Sequence, residues 1–200
     1  MRKVIVLTFV SLDGVMQAPG GPEEDPSGGF QLGGWSFPYF DDAVGAAMDE
    51  QMGKPFDLLL GRKTYDLFAG FWPKQTDPTA ASLNQAHKYV ASRKSMNLEW
   101  GPSTLLTGDV VGEIRKLKEG DGPELQVHGS GNLIQTLLEN DLVDELWLKI
   151  FPVTLGAGKR LFGDGTRRAA FKVVKSTTSP SGVIVASYER AGEVKTGSFA

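Results

Sequence analysis

The 200-residue sequence contains no cysteine. This absence excludes disulfides, a thiolate nucleophile, cysteine-ligated zinc and cysteine-held iron–sulfur clusters. It also excludes the H-x-E…P-C-x-x-C zinc site of nucleobase deaminases. Only two histidines are present, His87 and His128, and no H-E-x-x-H motif occurs. The sequence therefore predicts no metal site.

The sequence also lacks an excess of positive charge and a long apolar run. Its 21 Lys and Arg residues against 24 Asp and Glu residues give a formal net charge of -3, whereas nucleic-acid binding needs a basic face. No stretch approaches the roughly 20 apolar residues of a transmembrane helix. The apolar run at residues 4–10 is β-branched and lacks a signal-peptide cleavage site. We therefore expect a cytoplasmic protein with neither a nucleic-acid nor a membrane partner.

Glycine, in contrast, is abundant, with 25 residues in the chain. Seven of them lie between Gly14 and Gly34, mixed with three prolines. This composition predicts a loop of roughly twenty residues, and loops of that length in a compact domain are usually lids or binding loops. We expect this loop to close over a bound ligand, and a flexible insertion without a function is the alternative.

Alternating apolar patterns predict a series of strands and helices. The predicted strands are residues 4–10, 56–60, 88–92, 104–106, 124–128 and 145–151, followed by a hairpin of residues 171–178 and 183–189. The predicted helices are residues 39–52 and 79–86, one after Gly61, one capped by Asp109 and one after Asn132. The alternation predicts a three-layer α/β fold: a mixed, mainly parallel central sheet with helices on both faces and a C-terminal antiparallel hairpin. It further predicts one domain, residues 1–190, and a polar tail, residues 191–200.

Basic residues directly follow two of the predicted strands. The first such segment is Gly61, Arg62, Lys63 and Thr64, and the second is Ser92, Arg93 and Lys94. In open α/β sheets, ligands bind beyond the carboxyl ends of the strands, where helix N-termini present free N–H groups. Two basic strand ends suit a ligand with separated phosphates, such as NADPH with its pyrophosphate and 2′-phosphate. The alternative is ordinary solvated surface charge.

A glycine-rich turn, formed by Gly129, Ser130, Gly131 and Asn132, follows the fifth predicted strand. Glycines in such a turn allow the backbone to approach a pyrophosphate closely. The turn does not match the G-x-G-x-x-G fingerprint, because Ile134 occupies the position of the third glycine. A tight turn that serves only helix–strand packing is the alternative.

Two aspartates and one tryptophan are candidates for the substrate side. Asp41 lies early in the first predicted helix near Val44 and Met48, and an apolar flank would raise its pKa toward a value useful for proton transfer. Asp41 is therefore the first candidate for the proton donor and for a substrate contact, and Asp13 is the second candidate donor. Trp35 lies between apolar neighbours, which favours packing, and a substrate-binding platform is its alternative role.

Taken in order, these segments resemble the RibD C-terminal domain family, the reductase domain of riboflavin biosynthesis, which has the dihydrofolate reductase fold. The resemblance rests on residues 11–14 (SLDG), 60–65 (LGRKTY), 90–94 (VASRK), 127–133 (VHGSGNL), 142–146 (LVDEL) and 151–158 (FPVTLGAG). It covers nearly the whole chain. It implies an NADPH-dependent reductase with a mixed, mainly parallel sheet.

The resemblance also implies residue roles by position. It implies that Gly61 to Thr64 hold phosphate, that Ser92 and Arg93 select the 2′-phosphate, and that Gly129 to Asn132 cradle the pyrophosphate. The segment around Asp13 and Gly14 would lie beside the nicotinamide.

The substrate side departs from the resemblance. Dihydrofolate reductases place an acidic residue five positions after the tryptophan of a Trp-x-Leu-Pro segment. In this sequence Phe40 stands at that position after Trp35, and the acid is Asp41. A shift of one residue rotates a helical side chain by about 100°. The riboflavin enzyme usually carries a deaminase domain as well, and a chain without cysteine cannot form its zinc site.

The sequence therefore predicts an NADPH-dependent reductase of a small heterocyclic substrate, similar to 5-amino-6-(5-phosphoribosylamino)uracil reductase. A dihydrofolate or pterin reductase and a non-catalytic nucleotide-binding protein are the alternatives. The two-faced strand 145–151 and the terminal hairpin also predict a surface for a homodimer.

Overall fold

The computed structural model describes residues 1–199. Within these residues, one eight-stranded sheet consists of β1 (Val4–Ser11), β2 (Phe56–Gly61), β3 (Lys88–Ala91), β4 (Ser103–Leu106), β5 (Glu124–His128), β6 (Glu145–Phe151), β7 (Phe171–Thr178) and β8 (Ile184–Arg190). The spatial order is β4-β3-β2-β5-β1-β6-β8-β7. The first six strands pair in parallel, and β8 joins β6 and β7 in antiparallel register. The predicted mixed, mainly parallel sheet with a C-terminal hairpin is confirmed.

Helices cover both faces of this sheet. They are α1 (Asp42–Met52), α2 (Arg62–Phe71), α3 (Pro78–Gln85), α4 (Val110–Glu119) and α5 (Gly131–Glu139). Successive side chains of a strand point to opposite faces, so Leu59 packs with residues of α4 and α5, whereas Leu58 and Leu60 pack with residues of α1, α2 and α3. The predicted three-layer architecture is therefore confirmed.

Local signals determine where several helices begin. The Asp109 carboxylate accepts a hydrogen bond from the backbone N–H of Gly112 at 2.9 Å, which confirms the predicted cap of α4. Asp77 caps α3 in the same way through the N–H of Ala80 at 3.0 Å, directly before Pro78. These caps use only residues that are close in sequence.

The first helix begins later than predicted. Residues Phe37–Tyr39 form a short 3₁₀ turn, Phe40 is extended, and Asp41 is the N-cap residue with φ −123° and ψ 175°. The prediction that the helix begins at Tyr39 is therefore wrong, because Asp41 leaves the helical conformation to cap its first turn. The other predicted element bounds differ from the structure by about one residue at either end.

The apolar residues on the two faces of the sheet form two clusters, one around Leu59 and one around Leu58 and Leu60. A third apolar cluster, which includes Trp35, Val44 and Phe151, lies beside α1. Phe151, which is fully buried, contacts the rings of Phe9, Trp35 and Tyr39 there. Within residues 1–199, no helix is both long enough and apolar enough to cross a membrane. Residues 191–199 form neither helix nor strand. The assignment of residues 1–190 to one domain and of 191–200 to a tail stays a prediction, and Ala200 lies outside the described residues.

Candidate functional site

Five parallel strands end at one edge of the sheet. β3, β2, β5, β1 and β6 are successive neighbours and run in the same direction. Gly61 is the last residue of β2, Ser92 and Gly129 directly follow β3 and β5, and Asp13 lies two residues after β1. The structure therefore brings the three predicted phosphate-binding segments to the same edge.

Side-chain hydroxyls join the turns that follow β2 and β5. Ser130 Oγ accepts a hydrogen bond from the backbone N–H of Gly61 at 2.9 Å, and Thr64 Oγ1 accepts one from the N–H of Ser130 at 3.0 Å. Ser130 has a left-handed φ of 60° and follows Gly129 at φ 54°, so the backbone turns sharply before α5 begins at Gly131. The N-termini of α2 and α5 are thus held in contact, where an anion would meet two helix dipoles.

Four cations are exposed at this edge. They are Arg62, Lys63, Arg93 and Lys94. In the described part of the chain, Arg62 pairs with Asp66 at 3.5 Å, and the other three form no ion pair. The edge therefore keeps a positive charge that an anionic ligand can neutralise.

Ser92 shapes the turn that presents two of these cations. Its side chain is buried, and its Oγ donates to the carbonyl of Lys94 at 2.7 Å and accepts from the Lys94 N–H at 3.2 Å. This arrangement fixes the backbone around Arg93. A direct contact between Ser92 and a 2′-phosphate stays a prediction.

Asp13 connects the loop after β1 to the loop after β6. Its carboxylate accepts hydrogen bonds from Ser11 Oγ at 2.5 Å and from the N–H groups of Leu155 at 3.1 Å and Gly156 at 2.8 Å. The hydroxyl of Ser11 and these two N–H groups lower the pKa of Asp13 to about 2. The carboxylate is therefore ionised near neutral pH, which is the wrong state for a proton donor.

Asp41 is also ionised, contrary to the predicted rise of its pKa. Its two oxygens accept from the N–H of Val44 at 3.0 Å and from the N–H of Ser181, in the β7–β8 turn, at 2.9 Å. The hydrogen bond from Val44 and those from Ser181 lower the pKa of Asp41 to about 2. The predicted apolar flank is thus outweighed by N–H donors, and Asp41 serves as a helix cap that connects α1 to the hairpin.

Trp35 packs inside the third apolar cluster. Its side chain is buried, its ring meets Phe151 edge-on with centroids 5.4 Å apart, and its Nε1–H donates to the carbonyl of Gln17 at 2.7 Å. The structure therefore gives Trp35 the packing role that the sequence favoured. We do not retain it as a substrate-binding residue.

The glycine-rich loop of residues 14–34 is held by many hydrogen bonds. Gln17 is buried, and its side-chain amide donates to the carbonyls of Asp25 at 2.9 Å and Ser27 at 2.8 Å. The N–H of Met16 donates to the carbonyl of Lys159 at 2.8 Å, and the Lys159 side chain forms an ion pair with Asp25. The loop is therefore packed on the loop after β6, and the predicted closing movement stays a prediction.

A small, mostly apolar cavity with three polar side chains lies beneath this edge, between α1 and the sheet. The cavity has a volume of about 40 Å³ and is lined by Leu7, Phe9, Met48, Gln51, Met52, His128 and Lys149. His128 directly precedes the Gly129 turn, so the cavity adjoins the predicted cofactor-binding edge. Lys149 stands opposite Phe9 in the β1–β6 pair and is 2% exposed.

Burial controls the ionisation of the two basic side chains in this cavity. Burial lowers the pKa of Lys149 to about 7. Burial also lowers the pKa of His128 to about 3, with a further contribution from the charge of Lys149. Near neutral pH the cavity therefore holds a neutral imidazole beside an ammonium that can exchange its proton.

Comparison of the whole sequence with known families decides the relationship. The model of the RibD C-terminal domain matches residues 2–185. This chain belongs to the RibD C-terminal domain family. A relative, the uncharacterized protein YyaP of Bacillus subtilis (strain 168), is 30% identical over 200 residues, which cover 96% of each chain.

Solved structures share the fold of this family member. A candidate riboflavin biosynthesis protein from Shewanella sp. PV-4 has a TM-score of 0.67 and 26% identity, over 94% of this chain and 99% of that chain. A deaminase/5-amino-6-(5-phosphoribosylamino)uracil reductase from Thermotoga maritima has a TM-score of 0.64 and 16% identity, over 95% of this chain and 57% of that chain. Dihydrofolate reductase from Enterococcus faecalis, in complex with NADP(H), has a TM-score of 0.60 and 12% identity, over 94% and 96% of the two chains. The predicted dihydrofolate reductase-like fold is confirmed.

Sequence reasoning missed two polar residues of the cavity in this RibD C-terminal domain, Lys149 and Gln51. The available signal was the alternation in β6, which places Lys149 on the same face as Trp147 and Phe151. A lysine between two aromatic residues on a face that a helix covers is unusual. Gln51 gave no such signal, because a glutamine near the end of an amphipathic helix is ordinary.

Proposed function

We propose that this protein is an NADPH-dependent reductase that acts on a small heterocyclic substrate. The observation that carries the proposal is the contact between the turns after β2 and β5, made through Ser130, Gly61 and Thr64 at a strand edge with unpaired cations. Membership of a reductase-domain family and the shared fold of the NADP(H)-bound Enterococcus faecalis enzyme support it. A phosphoribosylamino-pyrimidine is the substrate type suggested by the Thermotoga maritima neighbour.

The residues at the carboxyl ends of these strands suit the phosphate groups of a dinucleotide. Gly129 adopts φ 54°, a conformation that L side chains rarely adopt, so a glycine at this position allows the sharp turn beside α2. Gly131 and the exposed Asn132 begin α5, where free N–H groups are available to an anion. We assign the pyrophosphate to this turn and the 2′-phosphate to Arg93 and its neighbours.

When bound, the cofactor would supply hydride, and the protein would contribute orientation, exclusion of water and a proton. The packed loop of residues 14–34 and the Asp13 hydrogen bonds close the side of the site next to β1. Because Asp13 and Asp41 are both ionised acceptors, neither is retained as the proton donor in this proposal.

The test of the function is direct. Stopped-flow measurement of NADPH oxidation against a panel of pterins and pyrimidines, dihydrofolate included, should show turnover with a pyrimidine. Faster turnover with dihydrofolate would instead identify a pterin reductase. Tight NADPH binding with no oxidation by any member of the panel would favour the non-catalytic nucleotide-binding alternative.

Replacing Arg93 with alanine should weaken NADPH binding about 10- to 100-fold while NADH binding changes little, because a charge-assisted hydrogen bond contributes about 1.5–3 kcal/mol. Calorimetric titration with both cofactors measures the difference. Arg115→Ala removes an exposed arginine from α4 and serves as the matched control. Equal losses for NADPH and NADH would remove Arg93 from the 2′-phosphate site.

The homodimer and the cytoplasmic location also stay proposals. The predicted dimer surface included residues 145–151, but β6 pairs with β1 and β8 and is mostly buried. The surface that remains is the hairpin, whose edge strand β7 exposes Val173 and Val174 by 57% and 56%. Lys172 and Lys175 on the same strand oppose uncontrolled edge pairing.

A further inference from the structure

Lys149 is a buried basic residue with few hydrogen-bond partners. Its side chain is 2% exposed, and within residues 1–199 its one hydrogen-bond partner is the neutral side-chain oxygen of Gln51. An ammonium group has three donors, so two remain for a ligand in the cavity. Burying a charge without a counter-ion is costly, and such a residue is expected where function requires it.

A second buried lysine on the same face of the sheet shows what a structural lysine looks like in this protein. Lys88 is fully buried on β3, and its Nζ donates to the carbonyls of Asn84 at 2.6 Å and Gly101 at 3.2 Å. The same Nζ lies 4.3 Å from the centroid of the Trp100 ring. The ammonium group of Lys88 is therefore engaged by protein groups, whereas that of Lys149 keeps donors available for a ligand.

No carboxylate in the described part of the chain neutralises Lys149. On its own strand, Glu145 forms an ion pair with Lys3 and accepts from Trp147 Nε1 at 2.8 Å. Across the sheet, Glu124 on β5 accepts from Gln126 at 2.8 Å. The carboxylates that remain on β8 and α1 are engaged or exposed. Glu189 on β8 lies within 3.8 Å of Lys3, Glu50 on α1 pairs with Lys175, and Asp42 and Asp49 on α1 are exposed.

The neighbouring His128 adds an acceptor rather than a second charge. Gln126 Nε2 donates to the Gln51 carbonyl at 3.1 Å and to Glu124, which assigns Gln126 Oε1 as the acceptor facing His128 Nε2 at 3.1 Å. His128 Nε2 therefore carries the hydrogen, and Nδ1 is left as an acceptor. The cavity thus offers one ammonium and one neutral imidazole, and it offers no carboxylate.

We propose that the reacting C=O or C=N group of a neutral or anionic heterocycle enters this small cavity of the proposed reductase, and that Lys149 Nζ binds, and protonates, its heteroatom. A cationic heterocycle, such as a protonated diaminopyrimidine, would meet the ammonium without a counter-charge and is rejected. The inference rests on the proposed function for its reduction step and on the cavity alone for its charge preference.

The proposed reduction requires one hydride and one proton, and Lys149 is the source of the proton. A bound reduced nicotinamide dinucleotide would supply the hydride for the new C–H bond at the carbon of the C=O or C=N group. The π electron pair moves to the heteroatom, which takes a proton from Lys149 Nζ. Lys149 becomes a neutral amine and regains a proton from water. Protonation by a positioned side chain contributes about 10²- to 10⁴-fold to a rate.

Three variants separate binding from proton transfer. Lys149→Met should lower kcat at least about 100-fold and remove the decline of kcat that we expect for the wild type as pH rises above neutral. Lys149→Arg should retain the binding preference but lose turnover, because a guanidinium does not release its proton. Lys88→Met is the matched control, since it removes a buried lysine from the same face and should leave the pH profile unchanged.

Binding to the cofactor-free protein gives a second measurement that does not depend on turnover. Calorimetry should show that orotate, an anionic pyrimidine, binds at least about tenfold more tightly than protonated diaminopyrimidine, and that Lys149→Met abolishes this preference. Absence of the preference in the wild type, or its survival in Lys149→Met, would overturn the inference.

If the preference is present but no acceptor oxidises NADPH, the proposed function fails and the charge selectivity of the cavity stands. Turnover with unchanged kcat in Lys149→Met would retain the reductase and remove Lys149 as its donor.

Discussion

Replacing Lys149 with methionine is expected to stabilise the protein near pH 7 by on the order of 2–4 kcal/mol. Burial lowers the pKa of Lys149 from 10.5 to about 7, so folding disfavours the charged form. Each unit of such a shift corresponds to about 1.4 kcal/mol. Methionine fills similar space without a charge, although Gln51 loses its partner in the variant. The expected gain is therefore smaller than the full shift implies.

The same shift predicts how stability depends on pH. Between about pH 7 and pH 10.5 the unfolded chain holds the Lys149 proton and the folded protein releases it. The unfolded state binds more protons in this window, so stability rises with pH by up to about 1.4 kcal/mol per unit. The penalty is full below pH 7 and is absent above pH 10.5. The titration of His128, whose pKa burial lowers to about 3, lies below this window.

Urea unfolding at pH 7 and pH 9 measures both effects. The wild type should gain stability between these two pH values, and Lys149→Met should be more stable than the wild type at pH 7 with a smaller gain. Lys88→Met provides the comparison: burial lowers the pKa of Lys88 to about 8, but its removal leaves the Asn84 and Gly101 carbonyls without their donor. That variant should not be stabilised. A Lys149→Met protein that is less stable at pH 7 would contradict the assignment of an uncompensated buried charge.

Replacing Gly158 with alanine is expected to destabilise the protein by about 2–4 kcal/mol. Gly158 has φ +130°, a conformation that side chains rarely adopt. A Cβ there would lie 2.6 Å from Val15 Cγ1 and 3.1 Å from the Phe30 ring. Val15 is fully buried and Phe30 is 8% exposed, so neither can move away easily. The substitution would force apart the loop after β6 and the loop of residues 14–34.

Gly156→Ala is the matched control for this prediction. Gly156 also has a positive φ, +75°, but nothing lies within 4 Å of the added Cβ. Gly156→Ala should therefore lose only the roughly 1–2 kcal/mol of stability that a side chain costs at a positive φ. Thermal unfolding compares the two variants, and limited proteolysis shows whether residues 14–34 become accessible in Gly158→Ala. Equal stability of the two proteins would show that the contact with Val15 does not hold the loops together.

The elements themselves could be predicted from short stretches of sequence. The two-residue alternation of Leu146, Leu148 and Ile150 predicted β6, and the N-cap residue Asp109 predicted the start of α4. These signals work because strand and helix periodicity and N-capping depend on residues within a few positions of each other. Placing the candidate cofactor edge needed one further rule, that parallel strands end together.

Contacts between distant segments could not be predicted in this way. The carboxylate of Asp41 has local apolar neighbours, which suggested a raised pKa. The N–H of Val44, three positions away, lowers that pKa together with the N–H of Ser181, which lies 140 positions along the chain and could not be foreseen. Ser130 and Gly61 are 69 positions apart and meet only because β2 and β5 are adjacent in the sheet. A propensity or motif carries no information about such pairs.

The sequence by itself therefore determined the strands, the helices, the basic strand ends and the glycine turn at Gly129. The tertiary structure decided which side chains keep free hydrogen-bonding capacity and which ionisation state each one adopts. It engaged Asp13 and Asp41 in loop and helix connections. It left Lys149 buried with a neutral hydrogen-bond partner, and this is the basis for proposing Lys149 as the proton donor. The physical reason is that a pKa depends on burial and on donors and charges in space, and these come together only when distant parts of the chain pack.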